Sequence, residues 1–171
     1  MEGRSVEAVV RALEEAGVRH VIVGGLAVVA YGHLRLTADV NLVLDPEPAA
    51  LRRGIDALAG LGFRPRAPVE FAAFADPEER RRWAREKVLT LLSVFSPLHP
   101  ATEIALHVEP PFDFEAVHAR ALRFEVAPGL AGTFVSLQDL IEMKRKSGRP
   151  QDLEDVARLE ALHRPGRDRD G

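Results

Sequence analysis

Asp39 and Asn41 stand two positions apart in an otherwise apolar segment, and both side chains carry hard oxygen ligands. If this segment is a strand, the alternation of side chains places both on the same face. Gly24 and Gly25 follow a short apolar run upstream, which predicts a turn from a strand into a helix. Such a turn lets backbone N–H groups approach phosphate oxygens, and carboxylate and amide oxygens bind Mg²⁺. These residues predict a magnesium-nucleotide site with Asp39 and Asn41 as metal ligands.

The same residues also have structural interpretations, which the sequence leaves open. Glycine pairs mark tight turns in general, whether or not a ligand is bound. The two oxygen-bearing side chains can hydrogen-bond the backbone at the start of a strand. Thr37 and Arg35 can position phosphate, but the Thr37 hydroxyl can equally hydrogen-bond the turn, which we favour. Arg35 can equally pair with Asp45 or Glu47.

Hydrophobic periodicity and turn residues predict an α/β (α+β) fold, in which a mixed β-sheet is flanked by helices. The predicted strands cover 21–23, 38–44, 88–95, 103–108 and 122–126, with a brief extended piece at 134–135. The predicted helices cover 5–17, with Ser5 as N-cap, then 26–31, 48–61, 77–86, 112–121, 136–146 and 151–162. The prolines after Phe63 predict an irregular segment, and the last two helices form a C-terminal pair separated by 148–150.

The chain has 171 residues, 46% of them apolar, which is enough for one domain with its own core. We predict a core over 1–135, helices over 136–163 packed on that core, and a disordered tail over 164–171.

Composition excludes several classes of partner. The net charge of -3 argues against bulk nucleic-acid binding, which needs a basic surface. No apolar run approaches the roughly 18 residues of a membrane-spanning helix, so no membrane partner is expected. The lack of cysteine excludes disulfides and thiolate metal sites and fits a cytoplasmic protein.

Three blocks of sequence together resemble the nucleotidyltransferase superfamily, in its small bacterial branch of abortive-infection and minimal nucleotidyltransferases. The first block contains Gly24, Gly25, Ala27, Gly32, Arg35, Thr37, Asp39 and Asn41. The second block covers 103–115, and the third covers 136–155. The resemblance implies a nucleotidyltransferase-like mixed sheet flanked by helices. It also implies transfer of a nucleoside monophosphate from a triphosphate to an acceptor, with three carboxylates holding two Mg²⁺ ions.

The resemblance implies a catalytic set in which anions have been lost. Asp39 stands in the place of the first carboxylate, Asn41 in that of the second, and Ala105 in that of the third. Magnesium binding would therefore be weak. Glu103 and His107 share the predicted strand face of Ala105, so either could replace the third carboxylate. We take Asp39, Asn41 and Glu103 as the candidate catalytic residues.

The resemblance also implies a nucleotide-binding set, which comprises Gly24, Gly25, Arg35, Thr37 and Lys144. For Lys144 the alternative is structural: Lys144 and Arg149 would pair with acidic residues such as Asp152 and Asp155 and dock the last helices.

Two functions follow from this resemblance. The first is a nucleotidyltransferase fold with a degenerate metal site that binds a nucleoside triphosphate, a partner protein or both, with weak or absent transfer. The second is an active Mg²⁺-dependent enzyme that modifies a protein or RNA hydroxyl, as a component of a toxin–antitoxin pair. In the first case the partner would be a toxin.

Overall fold

The computed structural model describes residues 2–165, and these fold into one seven-stranded mixed sheet flanked by helices, which confirms the predicted α+β class. The strands are β1 (His20–Val23), β2 (Asp39–Leu44), β3 (Arg64–Pro65), β4 (Leu91–Phe95), β5 (Glu103–His107), β6 (Leu122–Ala127) and β7 (Leu130–Phe134). The helices are α1 (Gly3–Glu15), α2 (Gly24–Ala30), α3 (Pro48–Gly60), α4 (Pro77–Arg85), α5 (Phe114–Ala119), α6 (Leu137–Ser147) and α7 (Pro150–Leu162), with a 3₁₀ turn at Phe71–Ala75.

The strands are ordered β3-β4-β5-β2-β1-β7-β6 across the sheet. Neighbours β1 and β2 are antiparallel, as are β4 and β5, whereas β2 and β5 run parallel, as do β1 and β7. The central strand β2 thus lies between β1 and β5. This order brings side chains from three separate parts of the sequence next to one another.

The two faces of the central strands differ in polarity. One face is wholly apolar and fully buried, with side chains from Val40, Leu42, Leu92, Val94, Ile104 and Leu106. The opposite face carries Asp39, Asn41, Glu103 and His107, all half-buried. Because side chains alternate along a strand, the same strand pairing places apolar side chains in the core and polar side chains on the opposite face of the sheet.

Several element boundaries differ from the sequence prediction. Ser5 is not an N-cap, because α1 already begins at Gly3 and buries Ser5 beside His99. The irregular segment after Phe63 includes the short strand β3 and the 3₁₀ turn. The strand predicted from residue 88 begins only at Leu91.

The largest difference concerns β7, which starts at Leu130, well before the predicted extended piece at 134–135. Its neighbours explain the extra length: β7 pairs with β6 along most of its length and with β1 near its end. Such pairing can hold a glycine-containing segment extended even where its own propensity for a strand is low.

The predicted C-terminal helical pair is present as α6 and α7. The Ser136 side chain accepts a hydrogen bond from the Asp139 backbone and caps α6, and Gly148, with φ +66°, ends it. Pro150 occupies the first turn of α7, a position where its missing N–H is tolerated. Most of the tail predicted to be disordered, 166–171, lies outside the described residues.

No helix among residues 2–165 is both long enough and apolar enough to cross a membrane.

Candidate functional site

A cleft lies over the polar face of the sheet where β1, β2 and β5 meet. The register pairs Asn41 with Val23 on one side and with Ala105 on the other, and pairs Asp39 with Glu103. Four sequence-predicted positions are therefore neighbours on this face, which we call the cleft floor: Asp39, Asn41, Glu103 and Ala105. The sheet thus places Asp39, Asn41 and Ala105 on two adjacent strands, with the alanine directly beside Asn41.

Asp39 and Asn41 contact each other. The Asn41 amide nitrogen donates a hydrogen bond to Asp39 Oδ2 at 3.1 Å, and the Thr37 hydroxyl donates to the Asp39 backbone carbonyl at 3.3 Å. The predicted turn hydrogen bond of Thr37 is thus confirmed. An amide N–H therefore contacts the carboxylate on the side where the resemblance places a second anion.

Gly24 and Gly25 pack tightly under these side chains. Gly24 has φ +68°, and a Cβ added to it would lie 2.9 Å from the Asn41 amide nitrogen. A Cβ at Gly25 would lie 2.5 Å from the Thr37 hydroxyl. The glycine pair is therefore required by backbone conformation and by close approach, a structural role that holds with or without a ligand.

A cluster of charges, in which Lys144, Asp152 and Asp155 are buried, forms the wall of the cleft on the side of α6 and α7. Lys144 Nζ lies 2.9 Å from Asp152 Oδ1 and 2.8 Å from Asp155 Oδ2. Arg149 Nε donates to Asp152 Oδ2 at 2.6 Å. The structural interpretation of Lys144 and Arg149 is confirmed: both hold acidic residues of α7. We call this cluster, together with Arg35, the charged wall.

Arg35 belongs to the charged wall, so the predicted pairing with Asp45 or Glu47 is wrong. Its Nε lies 3.0 Å from Asp155 Oδ1, close enough for an ion pair although the atoms are not aligned as a hydrogen bond. Asp45 instead accepts from Arg19, and Glu47 caps α3. Arg35 thereby ties the loop before β2 to the C-terminal helices.

Asp152 has an altered pKa inside the charged wall. Burial raises its pKa, but hydrogen bonds from Arg149, Lys144 and Ser147 together outweigh burial and lower the pKa to about 2. Asp152 is therefore a carboxylate at any ordinary pH.

Glu103 and His107, the candidate replacements for the third carboxylate, differ in their surroundings. Glu103 accepts a hydrogen bond from Arg66 Nε at 2.9 Å, and Arg66 in turn lies over the Phe95 ring. His107 lies further along β5, and burial lowers the pKa of its imidazole to about 4. Glu103 is therefore paired with a cation, while His107 is neutral near pH 7.

The cleft consists of two adjoining cavities of about 350 and 360 Å³, which share Gly24, Asn41, Leu91, Lys144, Arg149 and Asp152. The first, which we call the polar half, also contains Arg35, Thr37 and Asp39. The second, which we call the apolar half, also contains Val23, His107, Pro111, Leu140 and Met143. Both volumes fall near the low end of ligand pockets, roughly 300–1,000 Å³.

The donor set on the cleft floor does not fit a two-magnesium centre. Residues 2–165 contain no group of three or more histidine, aspartate or glutamate side chains arranged to hold a metal ion. Asp39 supplies one carboxylate, and Asn41 directs an N–H toward that carboxylate. Magnesium binds through carboxylates and substrate phosphates, so one anion here gives little affinity.

The sequence prediction missed the apolar half of the cleft. A signal was present in α6, where Leu140, Met143, Lys144 and Ser147 follow the spacing of one helical face. All four line this half. The contribution of Leu91 from β4 had no comparable local signal, because its place beside His107 depends on strand pairing.

Comparison of the chain with protein-family models and with curated proteins found no match.

Proposed function

We propose that the protein binds a nucleoside triphosphate in this cleft, with weak or absent transfer of the nucleotidyl group. One observation carries the proposal: the register of β2 and β5 sets Asp39 and Asn41 on an open floor with Ala105 beside Asn41. The polar half offers donors for phosphate oxygens, namely the N–H groups of the Arg35 and Arg149 guanidinium groups that do not face Asp155 and Asp152. The polyphosphate is assigned to this half.

The scarcity of accessible anions supports the second part of the proposal. Metal-assisted nucleotidyl transfer needs carboxylates that hold cations against the triphosphate. Asp39 is one such carboxylate, whereas Asp152 is already held by Lys144 and Arg149. Glu103 is held by Arg66. The bound nucleotide would consequently remain intact.

Calorimetric titration with ATP, with and without Mg²⁺, tests the proposal alongside an assay for released pyrophosphate. We expect ATP to bind, Mg²⁺ to change its affinity little, and pyrophosphate to stay at the background level. Absence of binding for all four common nucleoside triphosphates would contradict the proposal.

Restoring the anions provides a sharper test. Asn41→Asp combined with Ala105→Asp should bind Mg²⁺ at least about tenfold more tightly, because divalent-ion affinity rises with the number of charged ligands. The matched control combines Asn41→Asp with Ser93→Asp. Ser93 pairs with Ala105 from β4, so the control adds the same charge one strand farther from Asp39.

Since Ala105 is buried, the single change Asn41→Asp is measured as well, with thermal unfolding to verify folding. The proposed metal position would be wrong if the variant with Asn41→Asp and Ala105→Asp bound Mg²⁺ no more tightly than the control. It would also be wrong if folded Asn41→Asp bound Mg²⁺ no more tightly than wild type.

An active Mg²⁺-dependent nucleotidyltransferase is the second candidate, and the in-register pairing of Asp39 with Glu103 favours it. Magnesium-dependent pyrophosphate release that disappears in both Asp39→Ala and Glu103→Gln would establish this alternative. Its acceptor would be a protein or RNA hydroxyl. A cytoplasmic setting belongs to the proposal in either form, and a toxin partner belongs to the first form.

A further inference from the structure

The two halves of the cleft differ in what they can bind. Arg35, Thr37 and Asp39 line only the polar half, whereas Val23, Leu140 and Met143 line only the apolar half. The cationic side chains of the apolar half are Lys144, Lys146 and Arg149, which all come from the end of α6 and the residue before α7. A ligand that fills both halves must therefore carry charge at one end and a neutral, largely apolar group at the other.

His107 is the polar exception within the apolar half. It lies beside Ala105 along β5 and opposite Leu91 of β4. Burial lowers the pKa of its imidazole, so the ring is neutral near pH 7. His107 lines the cavity and makes no side-chain hydrogen bond within the described residues, so its two ring nitrogens are left for a ligand. A neutral imidazole presents one hydrogen-bond donor and one acceptor.

A flat, uncharged heterocycle matches these surroundings. Its faces would contact the leucine and methionine side chains, and thioethers pack favourably against aromatic rings. Its edge carries donors and acceptors that a neutral imidazole can pair with. A phosphate group would gain nothing from a neutral histidine among apolar side chains, and leaving that ring unpaired in a filled cavity would be unfavourable.

We propose that the apolar half binds the base of the nucleotide and that His107 forms a hydrogen bond with the edge of that base. This inference rests on the proposed function and assigns its base subsite. His107 is then a specificity-determining residue, while the polar half holds the polyphosphate.

The test compares nucleoside triphosphates with inorganic tripolyphosphate, which has the same charged part and no base. Titration calorimetry is performed on wild type, His107→Phe and His107→Ala, with His118→Ala on α5 as the matched control. His107→Phe keeps a flat ring and removes both nitrogens. We expect its affinity for the best-bound nucleotide to fall about fivefold, the loss of roughly one hydrogen bond, with tripolyphosphate unaffected.

A measurement on wild type complements the variants, should either fail to fold. The ¹⁵N chemical shifts of the His107 ring should change when the best-bound nucleotide is added and stay constant with tripolyphosphate. Equal binding of nucleotide and tripolyphosphate, or an unmoved His107 signal with bound nucleotide, would overturn the base subsite and leave polyphosphate binding intact. Binding of neither ligand would overturn the proposed function as well.

Discussion

On the cleft floor, the Asp39 carboxylate has the Asn41 amide as its side-chain partner, whereas on the charged wall Asp152 and Asp155 are each held by two cationic side chains. The polar side chains of the floor are half-buried, whereas Lys144, Asp152 and Asp155 of the wall are buried, with Asp155 1% exposed and Lys144 5% exposed. Charges that satisfy one another inside the protein hold elements together. A charge that faces the cleft remains available to a ligand.

The contrast explains why acidic residues in one cleft have different roles. The acidic residues of the wall connect α6, α7 and the loop before β2, so their loss should affect folding first. On the floor, the Asp39 carboxylate is paired with the neutral Asn41 amide, so changes to these two side chains should act on binding.

The largest effect is expected for Asp155→Ala, which leaves Lys144 and Arg35 without one of their partners. Lys144 keeps Asp152, but the partly buried Arg35 loses its carboxylate partner, so we expect the free energy of unfolding to fall by about 3 kcal/mol. Urea denaturation measures the loss. The control is Glu7→Ala, which breaks the exposed pair with Arg11 and should change stability by less than about 1 kcal/mol. Similar values for both variants would contradict the role of the wall.

An intermediate effect is expected from the titration of Asp152. The pKa of Asp152 is lowered in the folded state, from 3.8 to about 2, so its ion pairs stabilise the fold fully above the ordinary pKa. This contribution, about 2 kcal/mol, disappears as the pH falls through the window between those two values. Wild type should therefore exceed Asp152→Asn in stability at neutral pH and converge with it near pH 2, as followed by denaturation across pH. A difference independent of pH would contradict this assignment.

The smallest effect concerns the floor. Gly24→Ala and Gly129→Ala both place a side chain at positive φ, but only the new methyl group of Gly24→Ala meets another residue, Asn41. We expect Gly24→Ala to lower the free energy of unfolding by about 1 kcal/mol more than Gly129→Ala does, because Asn41 must move. It should also weaken ATP binding, which Gly129→Ala should leave unchanged. Equal stability and equal ATP affinity in the two variants would show that Asn41 moves freely.

Local patterns were sufficient for much of the fold. The two-residue spacing of Asp39 and Asn41 predicted that both side chains lie on the same face of β2. The break at 148–150 predicted two C-terminal helices. Both features depend on residues a few positions apart, where periodicity and capping act. The length of β7 was underestimated because its extended form depends on partners on both sides.

The site was predictable only in part, for a related reason. Asp39, Asn41, Gly24 and Gly25 come together through the short connection between adjacent strands. The partner of Arg35 lies on α7, far along the chain, and nearer acidic residues were the more obvious candidates. Likewise, the arginine that holds Glu103 is Arg66, next to β3, and no local spacing indicates it.

The sequence by itself determined the types of side chain on the floor and their direction from β2, because the two-residue period of a strand is a local property. The tertiary structure decided which of the surrounding charges are neutralised within the protein and which side chains close the apolar half of the cleft. Those outcomes depend on strand order and helix docking, which bring together residues that sequence spacing does not relate.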